Sequence, residues 1–260
     1  MNSKRKGIIL AGGYGTRLYP LTKGVSKQIL PVYDKPLIYY PLSTLMLGGI
    51  REILIITSPE DCNSFKRLLG NGESLGIEIN YAIQKKPDGV AQSLLIAEKF
   101  LDNCPCALIL GDNIFYGNEL VNILRRADEN LGFSTCFTYP VRDPENYGIV
   151  KFDNNGNPLE IIEKPVKFYS RFAITGLYYY DSDAVEMVKD VKRSKRGELE
   201  ISSLNQMYLN KNKLNIEKLG RGLAWLDTGT QDSLLEASQF VQTLEKRHQN
   251  VMCKSSKFPH

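Results

Sequence analysis

The chain has 260 residues, of which 42% are hydrophobic and 24% charged, with only 12 prolines and 21 glycines. This composition is typical of a globular protein with a sizeable core, and it excludes a collagen-like, low-complexity or disordered chain. The 33 basic and 29 acidic side chains leave a modest net charge of +4. The most basic stretch, Lys189 to Arg196, contains Asp190 and Ser194, so we interpret it as a solvated surface segment. We expect no nucleic acid as a partner.

Cysteine and histidine usage limits the chemistry that the chain can carry. The five cysteines form no CxxC pair, and the two histidines, His248 and His260, lie near the C-terminus. This pattern argues against a zinc site and indicates reduced thiols. No signal-peptide core follows the basic N-terminus, and no apolar stretch approaches the roughly 18 residues that span a bilayer. We expect a cytoplasmic protein with no membrane partner, whose chemistry uses no histidine base.

Short aliphatic runs alternate with longer amphipathic stretches through the first half of the chain. The predicted strands are Gly7 to Ala11, Glu52 to Thr57, Ile77 to Gln84 and Ala107 to Gly111. The predicted helices are Pro36 to Leu47, Glu60 to Leu69 and Asp88 to Phe100. Continuous apolar strands alternating with helices are typical of a parallel sheet that is covered on both faces. The pattern predicts a doubly wound α/β fold with a mostly parallel, Rossmann-like sheet.

The second half of the chain predicts a partly antiparallel continuation of this fold. The predicted strands are Ser134 to Val141, Tyr147 to Phe152, Leu159 to Glu163, Ile174 to Tyr180, Leu214 to Gly220 and Leu223 to Leu226. The predicted helices are Glu198 to Leu209 and Ser233 to Arg247. Asn155 and Gly156 predict a hairpin. The sequence shows no repeat or linker, so we predict a single domain over residues 1–250, followed by a frayed tail over residues 251–260.

The segment from Leu10 to Leu18 turns the chain at the end of the first predicted strand. In a doubly wound sheet, ligands bind at this edge. Gly12, Gly13 and Gly15 let the backbone approach a phosphate closely, and Arg17 adds a bidentate cation. The segment is not a Rossmann fingerprint, because a leucine replaces the third glycine, and the chain contains no P-loop. The alternative is a tight turn with a purely structural role.

Three further charged residues follow or adjoin apolar runs. Lys27 lies within one loop length of the glycine turn, where a cation can meet the same phosphates; its alternative is an ordinary exposed lysine. Asp112 and Asp227 each end an apolar run. Carboxylates at strand ends commonly hold Mg²⁺ that is bound to phosphates, so the two predict a shared metal site. The alternative for Asp112 is the N-cap of a following helix.

Longer motifs extend from about Lys4 to about Gln249. They are GGYGTRL, SKQILPVYDKPLIYYPLSTLM, PDG, LGDNIFYG, YG, IEKP, TGLYYYD, RGELEI and GRGLAWLDTGT. Together they resemble the glucose-1-phosphate thymidylyltransferase family of sugar nucleotidyltransferases. The GGYGTRL motif alone would indicate only the wider group that acts on sugar phosphates. The PVYDKPLIYYPLSTLM and WLDTGT motifs are far more specific to the thymidylyl branch.

The resemblance implies which residues hold the nucleotide. Arg17 would contact the triphosphate, and Lys27 would bridge toward the α-phosphate and the sugar phosphate. Gln84 and Gly89 would recognise the thymine edge, which suits an amide side chain and a backbone group. The implied nucleotide-binding residues are Leu10, Gly12, Gly13, Gly15, Thr16, Arg17, Lys27, Gln28, Gln84, Pro87, Gly89 and Asp112. Asp112 and Asp227 match the Mg²⁺ ligands of the family.

The resemblance also implies a site for the hexose and its phosphate. Its residues are Tyr147, Gly148, Glu163, Lys164, Ile174 and Trp225. Glu163 would accept protons from sugar hydroxyls, and Lys164 would contact the phosphate. Without the resemblance, Trp225 is interpreted as core, Glu163 and Lys164 as a surface ion pair, and Tyr147 as a strand aromatic. The implied catalytic residues are Arg17, Lys27, Asp112, Lys164 and Asp227.

The implied reaction joins dTTP and glucose 1-phosphate into dTDP-glucose and pyrophosphate with Mg²⁺, for deoxysugar biosynthesis of the dTDP-rhamnose type. The nucleotide-binding part would cover about residues 1–115, the sugar-binding part about 116–230 and a C-terminal helix about 232–247. The protein would be a homo-oligomer, either a dimer or a tetramer. Members of the family generally continue past the equivalent of His260 into a regulatory nucleotide site, so we expect weak or absent end-product inhibition.

Two alternatives for the function stay open. The first is a sugar-1-phosphate nucleotidyltransferase that uses UTP. Lys85 and Lys86 stand where many members of the family have smaller, uncharged residues, so the segment from Gln84 to Gly89 does not settle base selectivity. The second is a non-catalytic sugar-nucleotide sensor that keeps the fold, although every charged position assigned to chemistry is present.

Overall fold

The computed structural model describes residues 4–247. The strands are β1 (Lys6–Ala11), β2 (Pro31–Val32), β3 (Lys35–Pro36), β4 (Glu52–Thr57), β5 (Glu78–Ile83), β6 (Cys106–Leu110), β7 (Asn113–Gly117), β8 (Ser134–Pro140), β9 (Gly148–Phe152), β10 (Pro158–Glu163), β11 (Phe172–Tyr180), β12 (Leu214–Lys218) and β13 (Leu223–Asp227). The helices are α1 (Tyr39–Leu47), α2 (Cys62–Leu69), α3 (Gln92–Ile96), α4 (Glu98–Leu101), α5 (Leu120–Glu129), α6 (Ala184–Lys189), α7 (Ile201–Asn210) and α8 (Gln231–Arg247). The predicted tail and both histidines lie outside the described residues.

A nine-stranded sheet forms the centre of the fold. Its first part is the parallel series β5-β4-β1-β6, in which Ile9 pairs with both Ile55 and Ile109. Strand β11 joins the other edge of β6 in antiparallel direction and pairs with β8 and β9. Strands β10 and β12 complete this part, pairing with β9 and β8. The predicted α/β fold, with a parallel first half and a partly antiparallel second half, is confirmed.

The inner parallel strands β1, β4 and β6 are buried on both faces. Ile9 and Ile55 belong to one core cluster, and Ile8 and Leu54 belong to a second cluster across the sheet. Because successive side chains point to opposite faces, a strand in this position must be apolar at every residue. This is why the short aliphatic runs in the sequence predicted the strands correctly.

Strands β7 and β13 form a two-stranded antiparallel ribbon apart from the main sheet. In this ribbon Asn113 is directly opposite Asp227. The alternative that Asp112 caps a following helix is wrong, because the next five residues are strand β7. The partner strand lies far along the chain, so the local sequence around Asp112 shows no sign of this pairing.

Helix α8 packs over a third core cluster beside the glycine turn. Its Leu234, Ala237 and Val241 are buried with Leu18, which ends that turn, and Tyr40 of α1. The contact of Leu18 with this cluster fixes the end of the glycine turn against α8. No helix within residues 4–247 is long and apolar enough to cross a bilayer.

Four predicted helices begin two to four residues later than the sequence indicated, including those predicted from Glu60 and Glu198, which begin at Cys62 and Ile201. The helix predicted from Pro36 begins at Tyr39, because Lys35–Pro36 pairs with Pro31–Val32 as a small ribbon. The helix predicted from Asp88 begins at Gln92 and is divided at Ala97 into α3 and α4. Helices α5 and α6 and strand β7 were not predicted.

The predicted Asn-Gly hairpin is confirmed between β9 and β10. Gly156 has a φ of 84°, in the region that favours glycine. The Asp153 carboxylate accepts hydrogen bonds from the backbone N–H groups of Asn155 and Asn157 and so closes the turn.

Candidate active site

The glycine turn follows β1 at the carboxyl edge of the parallel strands. Gly15 has a φ of 61°, and its carbonyl accepts hydrogen bonds from the Thr22 hydroxyl and the Leu18 N–H. A Cβ on Gly12 would lie 2.4 Å from Oε1 of Gln84. The tight turn is therefore structurally required, and it also lies against a side chain predicted to meet the base.

The remaining nucleotide-binding candidates line this turn in different ways. Gly13 and Thr16 are exposed on its outer side, and Leu10 is partly buried at the end of β1. Gln28 is only 5% exposed, and its Oε1 accepts a hydrogen bond from Ser26. Its Cγ would lie 2.9 Å from a Cβ on Gly111, so the structure places Gln28 as a packing residue beside Asp112.

The loop after β5 carries the residues predicted to recognise the base. Gln84 is 3% exposed, and its N–H donates to the carbonyl of Thr57. Gly89 has a φ of 108°, and a Cβ there would lie 2.4 Å from the carbonyl oxygen of Leu199. Pro87 is exposed, as are Lys85 and Lys86.

Lys27 is buried, which is unusual for a lysine. It begins a short 3-10 turn, is 5% exposed, and places Nζ 2.5 Å from Oδ2 of Asp112. Burial alone would raise the pKa of Asp112, but the Lys27 ammonium and the Asn113 amide hold it below its usual value. The alternative of an ordinary exposed lysine is wrong.

Asp227 ends β13 next to Asp112. The Thr228 hydroxyl and N–H both donate to the backbone carbonyl of Asp112, at 2.9 and 3.2 Å. Burial and the charge of Asp112 raise the pKa of Asp227 to about 6, although Lys27 and Arg17 oppose this shift. Two acidic groups from distant parts of the chain therefore lie in one electrostatically coupled cluster.

The arrangement of Asp112 and Asp227 fits a divalent cation. Both carboxylates line the same cavity, and the charge of Asp112 helps to raise the pKa of Asp227. A cation bound between them would neutralise this repulsion and stabilise the ionised form of both carboxylates. Within residues 4–247 no group of three or more His, Cys, Asp or Glu side chains gathers as a metal cage. Two oxygen ligands suit Mg²⁺, which commonly keeps water and binds substrate phosphates as its other ligands.

A cavity of about 180 Å³ lies between the ribbon and the second part of the sheet. Eight of the predicted site residues line it: Arg17, Asp112, Tyr147, Gly148, Glu163, Ile174, Trp225 and Asp227. It adjoins a larger cleft of about 570 Å³, which Lys164 lines together with Arg17 and Asp227. The structure therefore brings the predicted sugar-phosphate residues and both acidic residues together at one place.

The aromatic wall of this cavity is fixed by ring packing. Tyr147 and Trp225 meet edge to face with ring centroids 5.3 Å apart. Burial and the charges of Asp227 and Asp143 raise the pKa of Tyr147 to about 12, so its hydroxyl stays neutral. Trp225 is 8% exposed, so it belongs to the core and also lines the cavity.

Glu163 and Lys164 are not a surface ion pair with each other. Glu163 accepts from Arg196 at 3.2 Å, and a Cβ on Gly148 would lie 3.1 Å from Glu163 Oε2. Lys164 is exposed, with a φ of 44°, and its N–H donates to the carbonyl of Tyr147. The two charged side chains line different chambers, Glu163 the small cavity and Lys164 the larger cleft.

Sequence reasoning missed Asn113, which connects several parts of the site. Its Oδ1 accepts hydrogen bonds from Trp225 Nε1 at 2.6 Å and from the Gly176 N–H at 3.0 Å. Its Nδ2 donates to the Asp112 carboxylate at 2.9 Å. The sequence carries no signal for this role, because the burial of the amide and its partners are visible only in the structure.

The cavity also includes residues to which the sequence analysis assigned no role. Ser202 and Asn205 come from α7, and Gly176 comes from β11. A Cβ on Gly176 would lie 2.6 Å from Asn113 Oδ1, so the close approach of these two residues requires glycine. Their contribution depends on packing between distant elements, which the sequence pattern does not show.

A family model described as nucleotidyl transferase matches residues 6–243, and the chain belongs to this family. The chain is 59% identical to the glucose-1-phosphate thymidylyltransferase of Neisseria gonorrhoeae, over 92% of this chain and 83% of that protein. It is 55% identical to the glucose-1-phosphate thymidylyltransferase of Xanthomonas campestris pv. campestris (strain B100), over 96% and 85%. The family predicted from the motifs is confirmed.

Solved structures share the fold. A Bacillus anthracis protein, assigned provisionally as a glucose-1-phosphate thymidylyltransferase and solved with sucrose, is 38% identical with a TM-score of 0.84. The alignment covers 91% of this chain and 94% of that one. A UDP-glucose pyrophosphorylase complexed with UDP-glucose has a TM-score of 0.80 at 23% identity, over 95% and 100% of the two chains. At 23% identity, the similarity to this second structure is evidence for a shared fold and for nothing more.

Proposed function

We propose that the protein transfers the thymidylyl group of dTTP to glucose 1-phosphate and releases dTDP-glucose and pyrophosphate. The observation that carries the proposal is the convergence of Arg17, Lys27, Asp112 and Asp227 at one edge of the sheet. They come from distant segments, and Arg17, Asp112 and Asp227 line the same cavity as Glu163. Relatives named glucose-1-phosphate thymidylyltransferase support the choice of substrates.

The reaction is an in-line attack by a phosphate oxygen of glucose 1-phosphate on the α-phosphorus of dTTP. The bond to that oxygen forms as the bond to the pyrophosphate oxygen breaks. A sugar phosphate is mostly dianionic near neutral pH, since its second pKa is about 6. The nucleophile therefore needs no general base, in agreement with a chain whose two histidines both lie near the C-terminus.

The protein's main task is to bring two polyanions together and to stabilise the charge that develops. Positioning and electrostatic stabilisation supply most of the catalysis in phosphoryl-type transfers. The exposed guanidinium of Arg17 lies over Gly229 and faces the cleft. Arg17 would hold the triphosphate, buried Lys27 the α-phosphate, and Lys164 the sugar phosphate in the larger cleft.

Asp112 and Asp227 would hold Mg²⁺ at this edge. Bound there, the ion would supply positive charge to the phosphate oxygens. The Lys27 ammonium neutralises part of the charge on Asp112, and Asn113 orients its carboxylate. These contacts prepare the acidic pair for a cation without requiring a third acidic ligand.

The sugar would occupy the cavity beside Tyr147 and Trp225. Glu163 would accept hydrogen bonds from sugar hydroxyls, and Arg196 holds its carboxylate in place. The Tyr147 and Trp225 rings, which pack edge to face, would exclude water from one side of the sugar. The backbone of Gly148 and the side chain of Ile174 complete the wall against the hexose.

The proposal is tested by pyrophosphate release from glucose 1-phosphate and Mg²⁺, with dTTP, UTP, ATP, CTP and GTP assayed in parallel. We expect dTTP to be strongly preferred, and product analysis to show dTDP-glucose. Equal or better use of UTP would move the protein to the uridylyl group and direct attention to Lys85 and Lys86. A folded protein that is silent with every nucleotide would instead favour the sugar-nucleotide sensor.

We propose that the enzyme works as a cytoplasmic homo-oligomer. The four cysteines within residues 4–247 are all free, as expected for a reducing compartment. Large apolar side chains such as Leu47 and Leu235 are exposed and available for subunit contact. Light scattering at micromolar concentration should report a dimer or tetramer; a monomer at every concentration would contradict this assembly.

A further inference from the structure

Gln92 joins the two parts of the loop that would meet the nucleotide base. It is the first residue of α3 and is partly buried. Its Oε1 accepts a hydrogen bond from Nε2 of Gln84 at 2.7 Å. The same oxygen also accepts from the N–H of Asp88 at 3.4 Å. One side chain therefore links the Gln84 amide to the backbone next to Gly89.

This contact fixes which end of the Gln84 amide faces the ligand. Since Nε2 donates to Gln92, Oε1 lies on the other side, over Gly12. Within residues 4–247 no group donates a hydrogen bond to that oxygen. Gln84 is only 3% exposed, and its Oε1 is held over the glycine turn. This oxygen is thus a free hydrogen-bond acceptor for a ligand that binds at the turn.

Backbone hydrogen bonds to Leu199 hold the segment on both sides of Gly89. Leu199 donates its N–H to the carbonyl of Asp88 at 2.8 Å and accepts from the N–H of Ala91 at 3.2 Å. Among the described residues, no group accepts from the Gly89 N–H. A rigid acceptor on Gln84 and a rigid donor at Gly89 therefore lie on the same loop.

We propose that Gln92 is a positioning residue that sets base selectivity, an inference that rests on the proposed nucleotidyl transfer. By holding Gln84 Nε2, it leaves Oε1 to accept the N3–H that thymine and uracil share. Cytosine has an unprotonated N3 in this place, so two acceptors would face each other. Without Gln92 the amide is free to rotate by half a turn and present its NH₂ group to cytosine.

The physical reason for a large effect is that the amide is buried. A buried polar group left facing a like group is strongly disfavoured, whereas an amide that can rotate escapes that penalty. Selectivity for a hydrogen-bonding pattern is strong only when the protein group is unable to adapt. Gln92 removes that adaptability from Gln84.

The test compares two substitutions at this position. Gln92→Leu keeps much of the side-chain volume but offers no acceptor. Gln92→Glu keeps an acceptor for the Gln84 Nε2–H and for the Asp88 N–H. Gln239→Leu, at an exposed position of α8, is the matched control for a change from glutamine to leucine.

Two measurements are made on the full chain with Mg²⁺ present. Calorimetry gives the Kd values for dTTP and dCTP, and pyrophosphate release gives kcat/KM for each with glucose 1-phosphate. In Gln92→Leu we expect the preference for dTTP over dCTP to fall about tenfold or more, with weaker dTTP binding. In Gln92→Glu and Gln239→Leu the preference should stay within about twofold of the original chain.

The outcomes separate this inference from the proposed function. An unchanged preference in Gln92→Leu, or an equal loss in Gln92→Glu, would overturn the positioning role. Equal binding of dTTP and dCTP by the original chain would overturn it as well. If binding shows the expected pattern while turnover of glucose 1-phosphate is absent, the role of Gln92 stands and the proposed transferase activity fails.

Discussion

At the residue scale, the site depends on a few charges held in unusual surroundings. Asp227 lies partly buried beside a second carboxylate, and Lys27 and Arg17 partly offset the repulsion. Carboxylates placed in this way destabilise the folded chain unless a cation or a substrate group joins them. A cluster of this kind is expected where function, rather than stability, determines the residues.

Asp227→Asn should separate catalysis from folding. Turnover should fall roughly 100-fold or more, because removing one group that stabilises the transition-state charge has effects of that order. In EDTA the thermal midpoint should stay the same or rise, because the repulsion from Asp112 is relieved. Pyrophosphate release measures the turnover, and a thermal melt followed by circular dichroism measures the midpoint. Near-normal activity at saturating Mg²⁺ would contradict the two-carboxylate site.

Lys27→Met should reduce both activity and stability. The variant leaves Asp112 without its ion-pair partner, at a site where the Asp112 side chain is 21% exposed. We expect a loss of about 2 kcal/mol, below the roughly 3–5 kcal/mol of a fully buried pair. Urea unfolding measures this loss, with Lys23→Met as an exposed control in the same loop. Equal midpoints for the two variants would show that the pair contributes nothing.

Gly12→Ala should weaken dTTP binding while leaving the fold intact. The added Cβ would lie 2.4 Å from Gln84 Oε1, so it would displace the end of that side chain and break its hydrogen bond to Gln92. We expect KM for dTTP to rise about tenfold, with a loss of stability of about 1 kcal/mol, as for one hydrogen bond. Gly24→Ala, where no atom lies within 4 Å of the Cβ, is the control. An unaltered KM in Gly12→Ala would remove Gln84 from the base site.

At the element scale, the β7–β13 ribbon carries the acidic pair and the cavity wall together. Its register places Asn113 opposite Asp227, and Asn113 also reaches Trp225 and the backbone of β11. A shift of the ribbon by one residue would turn each of these side chains to the opposite face. The ribbon is therefore the element on which the geometry of the site most depends.

Asn113→Ala tests this role of the ribbon. It leaves the Trp225 Nε1–H and the Gly176 N–H without partners, and each such buried donor costs about 1–3 kcal/mol. Denaturant unfolding should show a clear loss of stability, and KM for glucose 1-phosphate should rise. Asn118→Ala, at an exposed position after β7, should leave stability unchanged. A stable Asn113→Ala protein would mean that the ribbon is held by other contacts.

The inner strands of the sheet were predictable from local patterns because they are buried on both faces. The strand Glu52–Thr57 matches its prediction at both ends. The ribbon was harder to predict, because β7 pairs with a strand far along the chain. The short apolar run from Ile114 to Tyr116 does not by itself distinguish a strand from a buried helical turn. Helix α1 begins late because Lys35–Pro36 takes part in tertiary pairing that overrides local helical pattern.

At the scale of the whole molecule, the site lies where the parallel and antiparallel parts of one sheet meet. Strand β6 pairs with β1 on one side and with β11 on the other, and Asp112 follows its end. The nucleotide candidates lie toward β1 and β5, and the sugar candidates lie toward β9, β10 and β11. The two substrates would therefore approach the acidic pair from opposite sides.

The sequence predicted the charged residues of the site better than the residues that hold them. Arg17 lies in the glycine turn, Lys27 lies within one loop length of it, and Asp112 follows a strand, so their chemistry is visible locally. Asn113 and Gln92 act through contacts between distant segments, which periodicity does not show. Their polar side chains become informative only when burial and partners are known.

The defining step of the proposed reaction is the attack by a phosphate oxygen of glucose 1-phosphate on the α-phosphorus of dTTP. The most direct test uses glucose 1-phosphate labelled with ¹⁸O in its phosphate, followed by mass spectrometry of both products. We predict that all of the label is found in dTDP-glucose and none in pyrophosphate. Label in pyrophosphate, or pyrophosphate formed without dTDP-glucose, would contradict the account.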